Sequence, residues 1–171
     1  MADLLRSFRF QVKLLSSPVA VVGGRETAPP NGATSASELG SGAFQECTGL
    51  DIEMDVQDYL EGGRNDGVIR RVGRAKYQPL VLKRGMLWVT GTGVDRALWQ
   101  WIQGVVAGDA TTTRYDGLVE VMGIRNDVVA TWVFRRGLPA KVSGPQLNAK
   151  TGEVAIEELH IAHEGLRLVE P

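Results

Sequence analysis

The sequence predicts a mainly β protein in which two packed antiparallel sheets form a β-sandwich or barrel, with one flanking α-helix at about residues 94–107. Three observations support this fold class. Apolar and polar residues alternate in several short runs separated by Gly, Asn, Asp or Pro, which is typical of strands with one buried face. Glycine is abundant, at 21 of 171 residues. Only one segment strongly predicts a helix, because its large apolar residues recur at helical spacing.

The length and composition predict one domain spanning residues 1–171. Cys47 is the only cysteine, so no disulfide can form within the chain. With 19 Lys and Arg against 20 Asp and Glu, the net charge of -1 gives no general attraction to nucleic acid or anionic lipid. No run approaches the roughly 20 apolar residues of a membrane helix, and the N-terminus lacks the apolar segment of a signal peptide. We therefore expect a protein made in the cytoplasm, with no membrane anchor and no specific nucleic-acid binding.

The first predicted strand begins near Phe8. Its apolar residues alternate with Arg9, Gln11 and Lys13, which predicts one buried and one solvated face. The buried positions are Phe8, Phe10, Val12 and Leu14. From residue 16 to residue 42 the composition shifts to Ala, Gly, Ser, Pro and Thr. Because this segment has few large apolar groups, it predicts a long mobile loop within the domain.

Alternation resumes after residue 50. Ile52, Met54 and Val56 are set against acidic and amide residues, and this strand runs into a glycine-rich loop at residues 61–67. Residues 68–72 and 77–83 are further short strand candidates. Pro79 within the second of them predicts an edge position or a bulge, because proline cannot donate a ladder hydrogen bond.

The predicted helix covers residues 94–106. Asp95 would lie in its first turn and complement the helix dipole, and Gly108 would end it. The apolar residues at helical spacing are Leu98, Trp101, Ile102, Val105 and Val106.

A long β-hairpin is predicted next, with arms at residues 112–124 and 128–136 joined by Arg125-Asn126-Asp127. The tail at residues 155–163 is ambiguous, because it fits both helical spacing and alternation. A turn at residues 148–152 favours a strand with a bulge near Glu157 and Glu158.

Candidate chemistry is sparse. His160 and His163 lie among carboxylates, but as strand residues three apart they would point to opposite faces, so solvated polar positions are favoured over a metal site. Cys47 fits a buried or interface thiol. We predict no catalytic, cofactor-binding or metal-ligating residue. A soluble metal- or ligand-binding enzyme is the least favoured alternative.

Two surface features suggest association with other subunits. Trp101 lies on the apolar face of the helix, whereas Trp99 is displaced from it and would contact another subunit. A basic excess opposes an acidic stretch, and separated patches of opposite sign suit head-to-tail assembly. The basic residues are Arg70, Arg71, Arg74, Lys76, Lys83 and Arg84. The acidic residues are Asp51, Glu53, Asp55, Asp58 and Glu61.

Several segments together resemble the tail tube proteins of contractile phage tails and of phage-tail-like (extracellular) contractile injection systems. They include Phe8-Arg9-Phe10-Gln11-Val12, Leu98-Trp99-Gln100-Trp101-Ile102 and Trp132-Val133-Phe134-Arg135. The remaining segments are residues 44–53, 59–63, 82–85, 141–149 and 153–166. Taken in chain order, these segments span nearly the whole sequence. The loop at residues 16–42 departs from the family by its length.

The resemblance implies a small β-barrel-like domain that assembles into homohexameric rings. The rings would stack on a baseplate-bound initiator into a hollow tube that a sheath surrounds, and sheath contraction would drive the tube, with any cargo effectors in its lumen, through a target envelope. The particle would be a phage tail or a phage-tail-like particle, retained by the cell or released from it. The resemblance also implies that residues 154–166 are extended. The alternative within the family is a paralogue that initiates or terminates the tube.

Three groups of residues are predicted to serve assembly. Strands with free edges must be paired or covered, and closing them into a ring of identical subunits leaves a hollow interior. The hairpin at residues 112–136 and the strand at residues 51–59 have the length and alternation for such a wall, in which one face would pack on the domain core and the polar face would line the channel. The predicted lumen or exposed strand face contains Asp51, Glu53, Asp55, Gln57, Arg114, Glu120, Arg125 and Thr131. The predicted ring-stacking interface contains Glu61, Gly62, Gly63, Arg64, Arg70, Arg71 and Arg74. The predicted core or subunit packing residues are Phe8, Phe10, Trp99, Trp101, Trp132 and Phe134.

Overall fold

A computed structural model describes residues 9–17, 20–22, 25–27, 39, 44–60, 62–63, 67–89, 93–108, 113–150 and 152–170. These residues form thirteen strands and one helix. The strands in the first half are β1 (Phe10–Ser16), β2 (Ala20–Val22), β3 (Arg25–Thr27), β4 (Glu46–Thr48), β5 (Ile52–Tyr59), β6 (Ile69–Tyr77), β7 (Leu80–Gly85), β8 (Trp88–Val89) and β9 (Gly93–Val94). Then follow α1 (Ala97–Ala107), β10 (Tyr115–Met122), β11 (Val128–Ser143), β12 (Ile156–Ala162) and β13 (Gly165–Val169).

Two antiparallel sheets share the long strand β11. The first sheet runs β1-β10-β11-β13, and one row of its inward face crosses all four strands as Val12, Val119, Trp132 and Leu168. The second sheet runs β11-β12-β7-β4 and uses the other end of β11. Between the two ends, Arg136 has a positive φ of 55°. The predicted fold class, mainly β with two sheets and one helix, is confirmed, and the described strands of the two sheets do not close into a barrel.

The core lies between the two sheets and under the helix. Alternate residues of each strand face it, as the pleat requires. Its buried members are Val12, Leu14, Phe44, Leu80, Leu82, Leu98, Trp101, Tyr115, Val119, Phe134, Leu159, Ile161 and Leu166. Phe134 is fully buried, and a Cβ on the facing Gly117 would lie 2.0 Å from its ring. Glycine at position 117 therefore makes room for the largest apolar group at the centre of the first sheet.

Helix α1 is shorter than predicted. Asp95 precedes the helix, where its carboxylate accepts a hydrogen bond of 3.0 Å from the Ala97 backbone N–H. Leu98 and Trp101 are buried as predicted, and Gly108 ends the helix with a φ of 75°. Val106 is 83% exposed, against the prediction, because the helix buries only its first turns.

The Trp101 ring is held at both ends. Its indole N–H donates a 2.8 Å hydrogen bond to the Thr113 carbonyl, and its ring meets Tyr115 edge to face at 4.8 Å. These contacts fix α1 against the start of β10. Within the described residues, no helix is long and apolar enough to cross a membrane.

Three strand predictions need correction. β6 is one continuous strand that ends at Tyr77, and Pro79 lies in the connection to β7 and not inside a strand. No bulge occurs near Glu157 and Glu158, since β12 pairs with β7 in unbroken register from residue 156 to residue 161. The extended tail is instead divided at residues 163–164, where the chain turns from β12 into β13.

The predicted loop at residues 16–42 contains regular structure. β2 and β3 pair within it as a short antiparallel hairpin. Leu39 packs against the core, and its backbone N–H donates to the Leu14 carbonyl at 3.0 Å. The other parts of the predicted loop, residues 18–19, 23–24, 28–38 and 40–42, lie outside the described residues, as does Phe8.

Candidate assembly interface

Strands β5 and β6 form a hairpin that is separate from the two sheets of the core. Among the described strands they pair only with each other. The register runs from Ile52 opposite Tyr77 at the base to Tyr59 opposite Ile69 near the tip, with one extra residue in β6 between Val72 and Ala75. A two-stranded ribbon of this kind is marginally stable by itself in water. The hairpin therefore depends on contacts beyond its own ladder.

One face of the hairpin is apolar and uncovered. Residues directly opposite each other in an antiparallel pair share a face, and the bulge keeps Val72 in phase with Ala75. The exposed apolar side chains on this face are Ile52 (53%), Met54 (43%), Val56 (61%) and Val72 (71%), and the exposed Asp58–Arg70 pair follows on the same face towards the tip. The sequence predicted that this face would pack on the domain's own core, which is wrong for the subunit. A contiguous apolar surface of this kind marks a site of association.

The opposite face of the hairpin is charged and internally paired. Lys76 Nζ lies 2.6 Å from Asp55 Oδ1, and the hydrogen bond and charge of Asp55 raise the pKa of Lys76. The Arg71 guanidinium lies 4.5 Å above the Tyr59 ring. The acidic and basic stretches are therefore the two partner strands of one hairpin. The acidic residues of β5 and the basic residues of β6 face each other, and they do not form the separated patches of opposite sign that were predicted.

The base of the hairpin is fixed by backbone geometry at Gly49. This residue has a φ of 87°, and a Cβ there would lie 2.2 Å from the Pro79 carbonyl oxygen. Only glycine allows the chain to enter β5 beside the connection between β6 and β7. Tyr77, the last residue of β6, packs against the core cluster. The hairpin is thus anchored at its base while its apolar face remains open.

A buried polar network joins the second sheet to the helix. Arg84 and Glu157 are each 1% exposed, and Arg84 Nε donates to Glu157 Oε1 at 2.6 Å. Arg84 Nη2 lies 3.0 Å from Asp95 Oδ2, and the Trp99 indole N–H donates to Glu157 Oε2 at 3.1 Å. Arg84 was expected in a surface patch and Glu157 at a solvated position, and both expectations are wrong. Trp99 has a partner within its own chain.

The first sheet carries a polar cluster on its outward face. Gln11 and Lys13 both donate to Glu120 Oε2, at 2.5 and 2.8 Å. The hydrogen bond from Lys13, followed by that from Gln11, lowers the pKa of Glu120 against the opposing effect of burial. Thr131, opposite Glu120 on β11, is only 6% exposed and is not an exposed face residue in the subunit.

The other predicted assembly residues are placed as follows. Asp51, Glu53, Gln57 and Arg125 are exposed, and Asp55 is partly buried. Arg114 donates to the Glu164 carboxylate at 3.1 Å. Gly62 and Gly63 form an exposed turn, and Arg70, Arg71 and Arg74 are exposed on β6, whereas Glu61 and Arg64 lie outside the described residues. Phe10 and Trp132 pack against the core, and Phe134 is within it. The hairpin and its turn thus bring together five of the seven predicted stacking residues, and β5 contains three of the eight predicted lumen residues.

The two histidines lie on opposite sides of the second sheet. His160 contacts the Glu158 carboxylate on the outward face, and His163 lies among aromatic rings on the inward side. Within the described ranges, no group of three or more His, Cys, Asp or Glu side chains could hold a metal ion. Cys47 is partly buried against the core, and this burial raises its pKa to about 12.

Comparison with known proteins agrees with this architecture. Residues 6–167 match the family described as T4-like virus tail tube protein gp19. No curated protein matches the sequence.

Solved structures share the fold at low sequence identity. A chain in the cryo-EM structure of the anti-feeding prophage baseplate is 21% identical with a TM-score of 0.74, covering 99% of this chain and 98% of that one. A chain of the PVC extracellular contractile injection system sheath-tube complex is 16% identical with a TM-score of 0.70, covering 98% and 93%. A chain of the anti-feeding prophage tube-terminating cap is 15% identical with a TM-score of 0.70, covering 100% and 94%. Because the family match covers nearly the whole sequence, the chain belongs to the T4-like virus tail tube protein gp19 family and is a tail tube protein.

Proposed function

We propose that this protein is the main inner tube subunit of a contractile injection system or phage tail, and that it assembles into homohexameric rings stacked as a hollow tube. Membership of the tail tube family supports the tube. The observation that carries the ring is the uncovered apolar face of the β5–β6 hairpin, which contains Ile52, Met54, Val56 and Val72.

The size of this face makes an identical neighbour the best occupant. Full burial of one such side chain is worth about 1.5–3 kcal/mol, so covering four roughly half-exposed ones supplies on the order of 3–6 kcal/mol per contact before the entropy of association is subtracted. A heterologous contact between identical subunits closes into a ring and repeats this gain at every interface. It also gives the free edges of β5 and β6 a pairing partner.

The charged face of the hairpin then lines the lumen. Asp55 and Lys76 neutralise each other at 2.6 Å, and Arg71 covers the Tyr59 ring. A polar wall whose charges already have partners offers passing cargo little specific attraction, so cargo effectors can slide through it. Glu53 and Gln57 belong to this wall.

Ring stacking is assigned to the tip of the hairpin and its basic strand, which include Gly62, Gly63, Arg70, Arg71 and Arg74. Among the described residues, the ion pair of Arg70 is an exposed contact of 3.6 Å with Asp58, so its charge remains available to a neighbouring ring. Reversing the charge of Arg70 and Arg71 is expected to shorten or abolish tubes while the subunit stays folded. Tubes of unchanged length in electron micrographs would contradict the assignment.

The proposed partners are a sheath outside the tube and an initiator at the baseplate, and the proposed role is structural and not catalytic. Assembly would take place in the cytoplasm, with the finished particle retained or released. A paralogue that initiates or terminates the tube is the second candidate, because chains of a baseplate and of a terminating cap share the fold. Copy number per particle separates the two, since a main subunit is present in every ring and an initiator in one.

The test of ring formation uses a matched pair of variants on β5. Val56→Glu places a charge on the apolar face, whereas Gln57→Glu places one on the opposite face of the same strand. Negative-stain microscopy and sedimentation of the purified protein should show rings or tubes for the wild type and for Gln57→Glu, and subunits alone for Val56→Glu. Circular dichroism should show all three folded. Rings that persist in Val56→Glu, or a wild type that stays monomeric at high concentration, would refute the proposal.

A further inference from the structure

His163 occupies an aromatic pocket between the hairpin and the core. Its ring centroid lies 5.5 Å from that of Tyr77 and 5.6 Å from that of Phe134. Both ring nitrogens are shielded from solvent, and neither meets the geometry of a hydrogen bond. Burial lowers the pKa of His163 below its usual value of 6.5 by more than the backbone groups of Gly165 and Gln78 raise it. The pocket therefore accommodates a neutral imidazole and opposes a cation.

This pocket lies at the base of the β5–β6 hairpin. Tyr77 is the last residue of β6 and pairs with Ile52, the first residue of β5, so it forms the base of the hairpin. Phe134 is fully buried at the centre of the first sheet. His163 follows β12 directly and lies between the two rings. A change in its charge therefore acts where the hairpin joins the body of the subunit.

The charged groups around the pocket do not offset the positive charge that His163 would gain on protonation. From the connection between β12 and β13, the Glu164 carboxylate is occupied by Arg114 and Arg136, at 3.1 and 2.6 Å. From β6, Tyr77 presents a phenol, and Lys76 pairs with Asp55 on the charged face.

From β11, Phe134 is followed by Arg135 and Arg136, which are both cationic. In the described part of the chain no carboxylate forms an ion pair with His163. Burial therefore raises the cost of protonating His163 by more than the backbone groups of Gly165 and Gln78 lower it.

We propose that His163 is an acid-sensitive joint: its protonation separates the base of the β5–β6 hairpin from the core and thereby weakens tube assembly. The second half of this inference rests on the proposed ring contact, whereas the first half concerns the subunit alone. Titration of a single histidine between two aromatic rings is a local change of charge that biases a two-state element, here the docked or undocked hairpin.

The direction of the pH effect follows from linkage. The folded subunit has the lower His163 pKa, so the unfolded or undocked state binds more protons, and stability is lost as pH falls below about 6.5. Glu120 and Glu158 also have lowered pKa values, but they start from 4.5, so their contributions are lost only at more acidic pH. A loss of stability in the interval between these two values therefore reports on His163 and not on these two carboxylates.

The experiment measures the joint without requiring assembly. In the full chain carrying Val56→Glu, which keeps subunits separate, backbone amide exchange in β5 and β6 is compared at pH 7.5 and pH 5.0 after correction for intrinsic rates. We expect a several-fold rise in hairpin opening at pH 5.0, which His163→Phe removes. His160→Gln, the matched change on the outward face, should leave the rise intact. If His163→Phe does not fold, His163→Leu keeps an apolar side chain of smaller size in the pocket.

Assembly is then measured on the chain with Val56 intact. Wild-type tubes should dissociate between pH 7.5 and pH 5.0, and His163→Phe tubes should persist. The acid-sensitive joint would be overturned if hairpin opening at pH 5.0 were the same with His163 and with His163→Phe. It would also be overturned if His160→Gln removed the rise in opening. If the hairpin opens at pH 5.0 but the protein with Val56 intact forms no rings at pH 7.5, the proposed ring contact is overturned and the acid-sensitive joint is not.

Discussion

Replacing Glu157 with leucine would leave Arg84 as a buried cation without its closest counter-ion. The two side chains are each 1% exposed and meet at 2.6 Å, and the remaining carboxylate, Asp95, lies 3.0 Å from a different nitrogen of Arg84. Removing one partner of a buried pair costs about 3–5 kcal/mol, and the Trp99 indole loses its acceptor for about 1 kcal/mol more. In a domain of this length each kcal/mol lowers the melting temperature by about 2–4 °C, so we expect a decrease of roughly 8–24 °C.

The assay is urea and thermal unfolding of unassembled subunits, with two reference variants. Lys83→Met removes the neighbouring cation on the outward face, whose contact with Glu46 at 3.0 Å is exposed, and should cost less than about 1 kcal/mol. The double variant Arg84→Met with Glu157→Leu removes both buried charges and should recover most of the loss, since apolar replacement of a whole buried pair is often neutral. A Glu157→Leu loss no larger than that of Lys83→Met would refute the reasoning. So would a double variant as unstable as the sum of its single changes.

Two substitutions and one labelling experiment test other features of the fold. Gly117→Ala should destabilise the subunit by about 1–3 kcal/mol in urea unfolding, because the new Cβ would meet the Phe134 ring at 2.0 Å and force the core to shift. Gly49→Ala should also lower stability and reduce ring formation seen by microscopy, because a φ of 87° and the Pro79 carbonyl at 2.2 Å leave no room for a side chain. Cys47 should react slowly with iodoacetamide at pH 8 until urea is added, because burial raises its pKa to about 12 and leaves roughly a thousandfold less thiolate than the ordinary value of 9.0 would give. Normal stability of either alanine variant, or rapid labelling of the folded protein, would contradict these expectations.

Alternation predicted the elements whose pattern is local. Val12 and Leu14 of β1, the two arms β10 and β11, and the first turns of α1 were found from spacing alone, because burial of one face leaves a period in the sequence. The same period in β5 correctly predicted a strand. The prediction that the domain's own core buries the apolar face of this strand was wrong. An apolar face reads identically whether its own core or a neighbouring subunit buries it. The period of one strand does not tell which surface covers the face.

Phase within a strand could have located the buried ion pair. Arg84 continues the inward series of Leu80 and Leu82, and Glu157 begins the inward series of Leu159 and Ile161. A charged residue in phase with buried ones predicts a partner on the facing strand, and the register does pair these two residues. Composition suggested a surface patch because it counts charges without regard to the face on which they lie.

The β5–β6 hairpin is joined to the core through few contacts, and this has an energetic consequence. The β5–β6 hairpin shares no ladder with the two core sheets among the described strands, and its base meets them at Tyr77, Gly49 and the His163 pocket. Substitutions on its apolar face should therefore act on association while leaving unfolding nearly unchanged. Substitutions in the Arg84 network should lower the free energy of unfolding and leave association nearly unchanged, because that network lies wholly inside the subunit. Substitutions at the base should affect both, since the proposed ring contact requires a docked hairpin.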